Sequence, residues 1–185
     1  KQVIKAYGIR VAETIVTQSE EEAVSAAAKL GYPAVLKLHS LTVTHKSDSG
    51  GVQLDLKDEA AVRNAFQKIA AIPGFAGAAV QHMEDRKSGV EVIVGCSLDS
   101  QFGPVLLFGS GGEFVELYKD RALALPPLNT TLARRLMEET KVYRAFKGLR
   151  GRKPVDQAAV EKALVRLSEM ILDLPELVEM DINPL

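Results

Sequence analysis

The sequence predicts an α+β fold of two lobes, residues 1–75 with a leading helix and residues 76–185. Three observations carry this: helical periodicities lie on both flanks, β-favouring runs crowd the middle third, and Pro73-Gly74 separates the first flank from that middle. Ser19-Glu20-Glu21-Glu22 reads as a capping box that opens an Ala-rich helix to about Leu30, where Gly31-Tyr32-Pro33 stops it. Residues 34–38 are apolar and β-favouring, interrupted by the single cation Lys37, and predict a buried strand. A polar loop over residues 42–51 follows, and residues 52–56 alternate as a strand with one exposed face. Asp58 then caps a helix that carries Val62, Ala65, Phe66 and Ile69 on one side.

Beyond Pro73-Gly74, strands are predicted over residues 78–83, 90–95 and 104–109. The glycine-rich turn Gly109-Ser110-Gly111-Gly112 leads on to 114–117 as a hairpin would require, so the middle third reads as an antiparallel sheet. Asn129 caps a helix bearing Leu132, Leu136 and Met137, and Asp156 caps one bearing Val160, Leu164, Leu167 and Ile171. Residues 178–182 form a closing strand. The basic stretch 147–153 reads as the most flexible segment.

Composition narrows the function classes. The 185 residues are 46% hydrophobic and 25% charged, with 23 Lys+Arg against 24 Asp+Glu and a net charge of −1. That balance gives no general attraction to nucleic acid or to an anionic membrane. Cys96 is the single cysteine, which excludes an intramolecular disulfide and a thiolate metal cluster and points to a reducing cytoplasm. No apolar run approaches the roughly 20 residues needed to span a bilayer, and residues 1–10 lack a signal-peptide core. A start at Lys1 and an end at Leu185, directly after a strand-like run, predict a piece of a longer multidomain polypeptide. The G-x-x-x-x-G-K-[ST] loop, the H-E-x-x-H pair and the G-x-S-x-G elbow are absent from the sequence. Residues 109–114 lack the third glycine of a dinucleotide fingerprint and lead into a predicted strand rather than a helix.

Several residues remain that carry chemistry. An ammonium inside an apolar strand costs several kcal/mol unless an anion meets it, so Lys37 either snorkels to water or aims at a ligand phosphate. Glu91 poses the mirror-image problem among β-branched residues, and pairing with Lys37 or orienting it would solve both. The loop His45-Lys46-Ser47-Asp48-Ser49-Gly50-Gly51 combines a cation, hydroxyls and adjacent glycines; such a loop covers phosphates or is a solvated turn. Asp181 and Asn183, two positions apart on a strand, leave one face about 6.6 Å apart. They read either as two hard oxygen donors for Mg²⁺ alongside phosphate, or as an ordinary strand-end turn in which Pro184 ends the pairing. Glu116, Lys119 and Asp120 follow the glycine turn, as solvated hairpin charges or facing a nucleotide.

Taken in order, these pieces resemble the ATP-grasp domain of the nucleoside-diphosphate-forming acyl-CoA synthetases, the ADP-forming acetate–CoA ligase group related to the succinyl-CoA synthetase β subunit. The resemblance covers nearly the whole chain. It runs through Tyr7-Gly8-Ile9, Gly31-Tyr32-Pro33 with Lys37, His45-Lys46-Ser47-Asp48 with Gly50-Gly51-Val52, and Phe102-Gly103-Pro104-Val105. It continues through Gly111-Gly112 with Val115-Glu116, Leu125-Pro126-Pro127-Leu128 and Asp181-Ile182-Asn183-Pro184-Leu185.

The resemblance implies two α+β lobes that grasp ATP or ADP between them. It implies that Lys37 contacts the phosphates, that residues 45–51 close over them with His45 relaying a phosphoryl group beside Lys46, and that Gln81, His82 and Met83 border the adenine. Glu91 and Glu116 would line the cleft, and Asp181 and Asn183 would face Mg²⁺. The implied partners are a CoA-binding domain and a CoA-ligase domain with a phosphorylated histidine, in the same chain or another. Together they interconvert acyl-CoA, ADP and phosphate with carboxylate, CoA and ATP. The family continues past the position of Leu185 into a strand with a further acidic metal ligand, and Leu41-Thr42 and Ser49 depart from its usual residues. Without the CoA-binding and CoA-ligase domains, a chain of this length is expected to be inert in the full reaction. The alternative is a regulatory ATP-grasp-like module of a protein acetyltransferase. The sequence leaves the oligomeric state open.

Overall fold

A computed structural model describes residues 1–42, 50–85, 89–112, 119–148 and 153–185. In chain order the elements are α1 (Gln2–Ala6), β1 (Ile15–Thr17), α2 (Glu20–Leu30), β2 (Ala34–His39), β3 (Val52–Leu56), α3 (Glu59–Ala70) and β4 (Gly77–His82). Then come β5 (Val92–Asp99), β6 (Gly103–Ser110), β7 (Arg121–Ala124), α4 (Thr130–Glu138), a 3₁₀ helix (Val142–Lys147), α5 (Gln157–Asp173) and β8 (Glu179–Ile182). Four helices start at the polar residues the sequence marks. Ser19, Asp58, Asn129 and Asp156 each accept, through the side chain, the backbone N–H three residues on. This satisfies a donor that the helix itself leaves open. The capping box is shifted by one position, because the Glu22 carboxylate accepts the N–H of Gln18 at 2.8 Å rather than that of Ser19.

The strands form two four-stranded sheets, β1-β4-β2-β3 and β7-β6-β5-β8, with every neighbouring pair antiparallel. The chain divides into two compact units, Val11–Glu84 around the first sheet and Lys1–Arg10 with Asp85–Leu185 around the second. In the first unit, α2 and α3 cover one face of the sheet. Ala23, Ala27, Leu36, Leu38, Val62, Ile69, Ala78 and Val80 are sealed from solvent there. The alanines of α2 let its backbone lie close to the strands. Arg63 of α3 ties the two helices together through Glu20 at 2.7 Å.

In the second unit α4 and α5 play the same part, with Leu164, Leu167 and Met170 of α5 in one core with Val92, Val94, Leu106 and Phe108 of the sheet. Phe108 meets Phe146 edge to face at 6.2 Å, the geometry favoured by aromatic quadrupoles. The N-terminal segment belongs to this core. Ile9 is buried in it, the Tyr7 hydroxyl donates to Asp173 Oδ2 at 3.1 Å, and the Arg166 guanidinium donates to the Gly8 carbonyl.

Several sequence expectations change. The strand near 78–83 pairs with β1 and β2, so the antiparallel sheet read in the middle third is split between the two sheets. The unit boundary accordingly follows Glu84, where the sequence reading divides the chain after residue 75, and residues 1–10 fall with the later part of the chain. Neither β1, β7 nor the 3₁₀ helix was anticipated. The proposed strand 114–117 and most of the basic stretch 147–153 lie outside the described residues. Among the described residues no helix is long and apolar enough to cross a membrane.

Candidate functional site

Strand alternation gives each sheet one face packed on helices and one turned away from them. In β2, Ala34, Leu36 and Leu38 face the helices, so Val35, Lys37 and His39 take the outer face. Lys37 is half-buried there, opposite Val52 on β3 and Ala79 on β4. Gln81 stands opposite Val35 and shares that outer face. It is buried, and its Nε2 donates to the Thr14 hydroxyl at 2.6 Å, which in turn donates to the Ala12 carbonyl at 3.0 Å. Thr14 is a partner that the sequence did not reveal, because the two residues lie far apart along the chain.

His82, next along β4, turns to the helix side, where its Nδ1 lies 3.1 Å from the Gly31 carbonyl oxygen. Met83 follows the strand; its N–H donates to the Pro33 carbonyl at 2.8 Å, and its sulfur accepts the N–H of Asp55 at 3.2 Å. Of the three residues read as a single segment, Gln81 shares the outer face with Lys37 and His82 takes the opposite face. Gly50 and Gly51 end the polar loop. The Gly51 carbonyl accepts the Leu38 N–H at 2.6 Å and the Gly50 carbonyl accepts Gln53 Nε2 at 2.9 Å, so the loop's exit is bonded to the strands on either side of it.

In the second sheet, Val92, Val94 and Cys96 face the core, which leaves Glu91, Ile93 and Gly95 on the outer side. Burial pushes the Cys96 thiol above its ordinary pKa, consistent with an inert packing role. Asp181 of β8 stands opposite Gly95 and is exposed on this outer side. Asn183 lies past the strand end. The pairing continues beyond it, since Leu185 and Val92 exchange both backbone hydrogen bonds, at 2.8 and 3.4 Å. The register Val94↔Ile182 would place Pro184 opposite Val92, so β8 carries one extra residue here. Such a bulge re-aims side chains. The two-residue alternation read from the sequence therefore fails between Asp181 and Asn183, and Pro184 does not end the pairing.

The bulge brings Asn183 Oδ1 to 3.0 Å from the N–H of Gly112, which donates to it. On the other side of the same glycine, the Glu91 carboxylate occupies the space where a Cβ would stand, and Gly112 has φ +84°. The positive φ favours glycine at this position. The Gly111 N–H donates to the Glu91 carbonyl at 2.9 Å. Glu91, Gly111, Gly112, Asp181 and Asn183 thus gather at one end of the second sheet. Asp120, read as a hairpin charge, holds the far end of the glycine loop. Its carbonyl accepts the Ser110 N–H at 2.9 Å and its carboxylate accepts the N–H groups of Lys141 and Val142.

The donor chemistry at this sheet end suits Mg²⁺, which takes one or two protein oxygens and completes its shell from phosphate and water. Asp181 and Asn183 are the oxygen-bearing side chains of β8 and its bulge that could serve in this way, and among the described residues no group of three His, Cys, Asp or Glu side chains offers an all-protein cage. His45, Lys46, Ser47, Asp48 and Glu116 lie outside the described residues.

Comparison with known proteins gives the family. The β subunit of acetate–CoA ligase (ADP-forming) I from Pyrococcus furiosus is 40% identical over 192 residues, a match covering 100% of this chain and 82% of that subunit. Acetate–CoA ligase (ADP-forming) I from Archaeoglobus fulgidus is 41% identical over 188 residues, covering 98% of this chain but only 27% of that longer protein. A solved structure of acetyl-coenzyme A synthetase 1 from Ca. Korarchaeum cryptofilum superposes with a TM-score of 0.85 at 40% identity, covering 98% of this chain and 80% of that one. The family description "ATP-grasp domain" matches residues 1–185, and the chain belongs to the ATP-grasp domain family.

Proposed function

We infer that this chain is the nucleotide-binding part of an ADP-forming acyl-CoA ligase, in which acyl-CoA, ADP and phosphate are interconverted with carboxylate, CoA and ATP. The observation that carries this reading is the gathering of Asp181, Asn183, Glu91 and the Gly111-Gly112 turn at one sheet end, in a chain similar throughout to an ADP-forming β subunit. The Korarchaeum protein was solved with coenzyme A and Mg-AMPPCP, which supports a magnesium nucleotide as the ligand.

In this reading the Lys37 ammonium pairs with phosphate oxygens, and its apolar strand keeps the charge in a low dielectric where it acts strongly. Gln81, fixed by Thr14, borders the base; His82, on the helix side, is left out of that border, and Met83 braces β3. Residues His45, Lys46, Ser47, Asp48, Gly50 and Gly51 cover the phosphates, with His45 as the phosphoryl relay. Glu91 and Glu116 flank the nucleotide. Asp181 and Asn183 would hold Mg²⁺, which when bound neutralises phosphate charge. Phosphoryl transfer depends mainly on such positioning.

The partners are a CoA-binding domain and a CoA-ligase domain whose histidine exchanges the phosphoryl group, either fused as in the long Archaeoglobus relative or on another subunit. Calorimetric titration of the chain with Mg·ADP and Mg·ATP tests the reading, with Lys37→Ala as the control. Saturable binding that Lys37→Ala weakens is expected. No binding to the unsubstituted chain, or equal binding to both, would overturn it.

A further inference from the structure

Asn183 stands where two parts of the second unit meet. The bulge after Ile182 carries it off the strand, and its Oδ1 accepts the Gly112 N–H at 3.0 Å. The Glu91 carboxylate lies where a Cβ on Gly112 would stand, and the Gly111 N–H donates to the Glu91 carbonyl at 2.9 Å. The turn is therefore pinned between an amide oxygen from the end of the chain and the residue that precedes β5. An amide oxygen has two lone pairs. The Gly112 bond uses one, and in the magnesium reading the second would face the cation that Asp181 would also serve.

We propose that Asn183 is a positioning residue as well as a cation donor: it latches the Gly111-Gly112 turn to the cation-binding end of β8, so that cation occupancy is felt by the turn. This rests on the reading of Asp181 and Asn183 as the magnesium donors. A cation on Oδ1 draws electron density away from the oxygen that Gly112 uses, and the coupling is reciprocal because both events share one atom. A simple ligand role gives Asn183 no influence on the turn when the cation is absent. A latch does.

Backbone amide exchange and resonance positions of the isotope-labelled chain separate these roles. Without cation or nucleotide, Asn183→Ala is expected to speed exchange at the Gly112 amide about fivefold, the loss of one neutral hydrogen bond. Asn183→Asp, which keeps an acceptor, restores the slow exchange, and Asp181→Ala leaves Gly112 unchanged. Adding MgCl₂ in the presence of ADP moves the Gly112 amide resonance in the unsubstituted chain but not in Asn183→Ala. Equal Gly112 exchange in the unsubstituted chain and Asn183→Ala overturns the latch. A shift at Asp181 with none at Gly112 overturns the linkage while sparing the magnesium reading. No shift at Asp181, Asn183 or Gly112 overturns both.

Discussion

The carboxylate of Asp120 accepts the backbone N–H of Val142 at 2.8 Å, and its second oxygen accepts that of Lys141 at the same distance. One side chain thus caps a 3₁₀ helix about twenty residues further along the chain, while its own carbonyl holds Ser110. Asp120→Ala should lower stability by about 1–2 kcal/mol, the usual cost of a lost cap. Urea unfolding reads this as a lower midpoint at an unchanged slope; an unchanged midpoint would show that the cap contributes nothing.

Lys37→Ala should weaken Mg·ADP binding about 10- to 100-fold, because a hydrogen bond to a charged group is worth about 1.5–3 kcal/mol. Lys37→Arg should recover only part of this, since a planar fork does not replace a compact ammonium in a strand. Calorimetry measures both.

Arg134 donates to both oxygens of Glu161, at 2.7 and 3.1 Å, and Glu161 is buried while Arg134 is largely exposed. Removing the arginine strands a buried carboxylate, whereas replacing the acid by an amide leaves a neutral group. Arg134→Ala should therefore lower the melting temperature more than Glu161→Gln. The reverse order in a thermal scan at neutral pH would contradict this.

Two carboxyls give the fold an acid limit. The N–H groups of Phe102 and Gln101 hold the Asp99 carboxyl below its usual pKa, and the side chains of Arg63 and Gln67 do the same for Glu20. A depressed folded-state pKa adds stability that is present above the unfolded value and lost as pH falls through the folded one. Stability should therefore decline on acidification below the ordinary carboxylate range. Asp99→Asn should flatten that decline, and urea midpoints measured across pH for both proteins show whether it does.

Phe108→Ala should cost about 3–5 kcal/mol, since the ring is sealed against Phe146 and its loss leaves a cavity. Chemical denaturation gives the figure directly.

What the sequence made legible follows range of interaction. Ser19, Asp58, Asn129 and Asp156 were identifiable as caps because a cap is completed within three residues. The strand character of β2, β3, β5 and β6 followed from local pattern. The sheet to which β4 belongs did not, because pairing with β1 and β2 is decided by segments distant in sequence. β1 itself has three residues, too few for a period to register. Among the candidate residues, Lys37 stood out by breaking an apolar run, and Asp181 by its place in the closing strand. Asn183 was named as a donor, but its bond to Gly112 was invisible, because a single inserted residue undoes the period-two reading at that point. The Gln81–Thr14 bond was hidden for the same reason as the β4 pairing.

The membership of Lys1–Arg10 in the same unit as Asp85–Leu185 orders events on the ribosome. Val11–Glu84 leaves the exit tunnel with all its strands in hand and can close at once. Ile9, made earlier, has to wait for Leu164 and Leu167 to be translated before it finds its neighbours. Residues 1–10 are thus made before the Val11–Glu84 unit yet settle after it, and they travel without their packing partners until the segment beyond Asp85 has been translated.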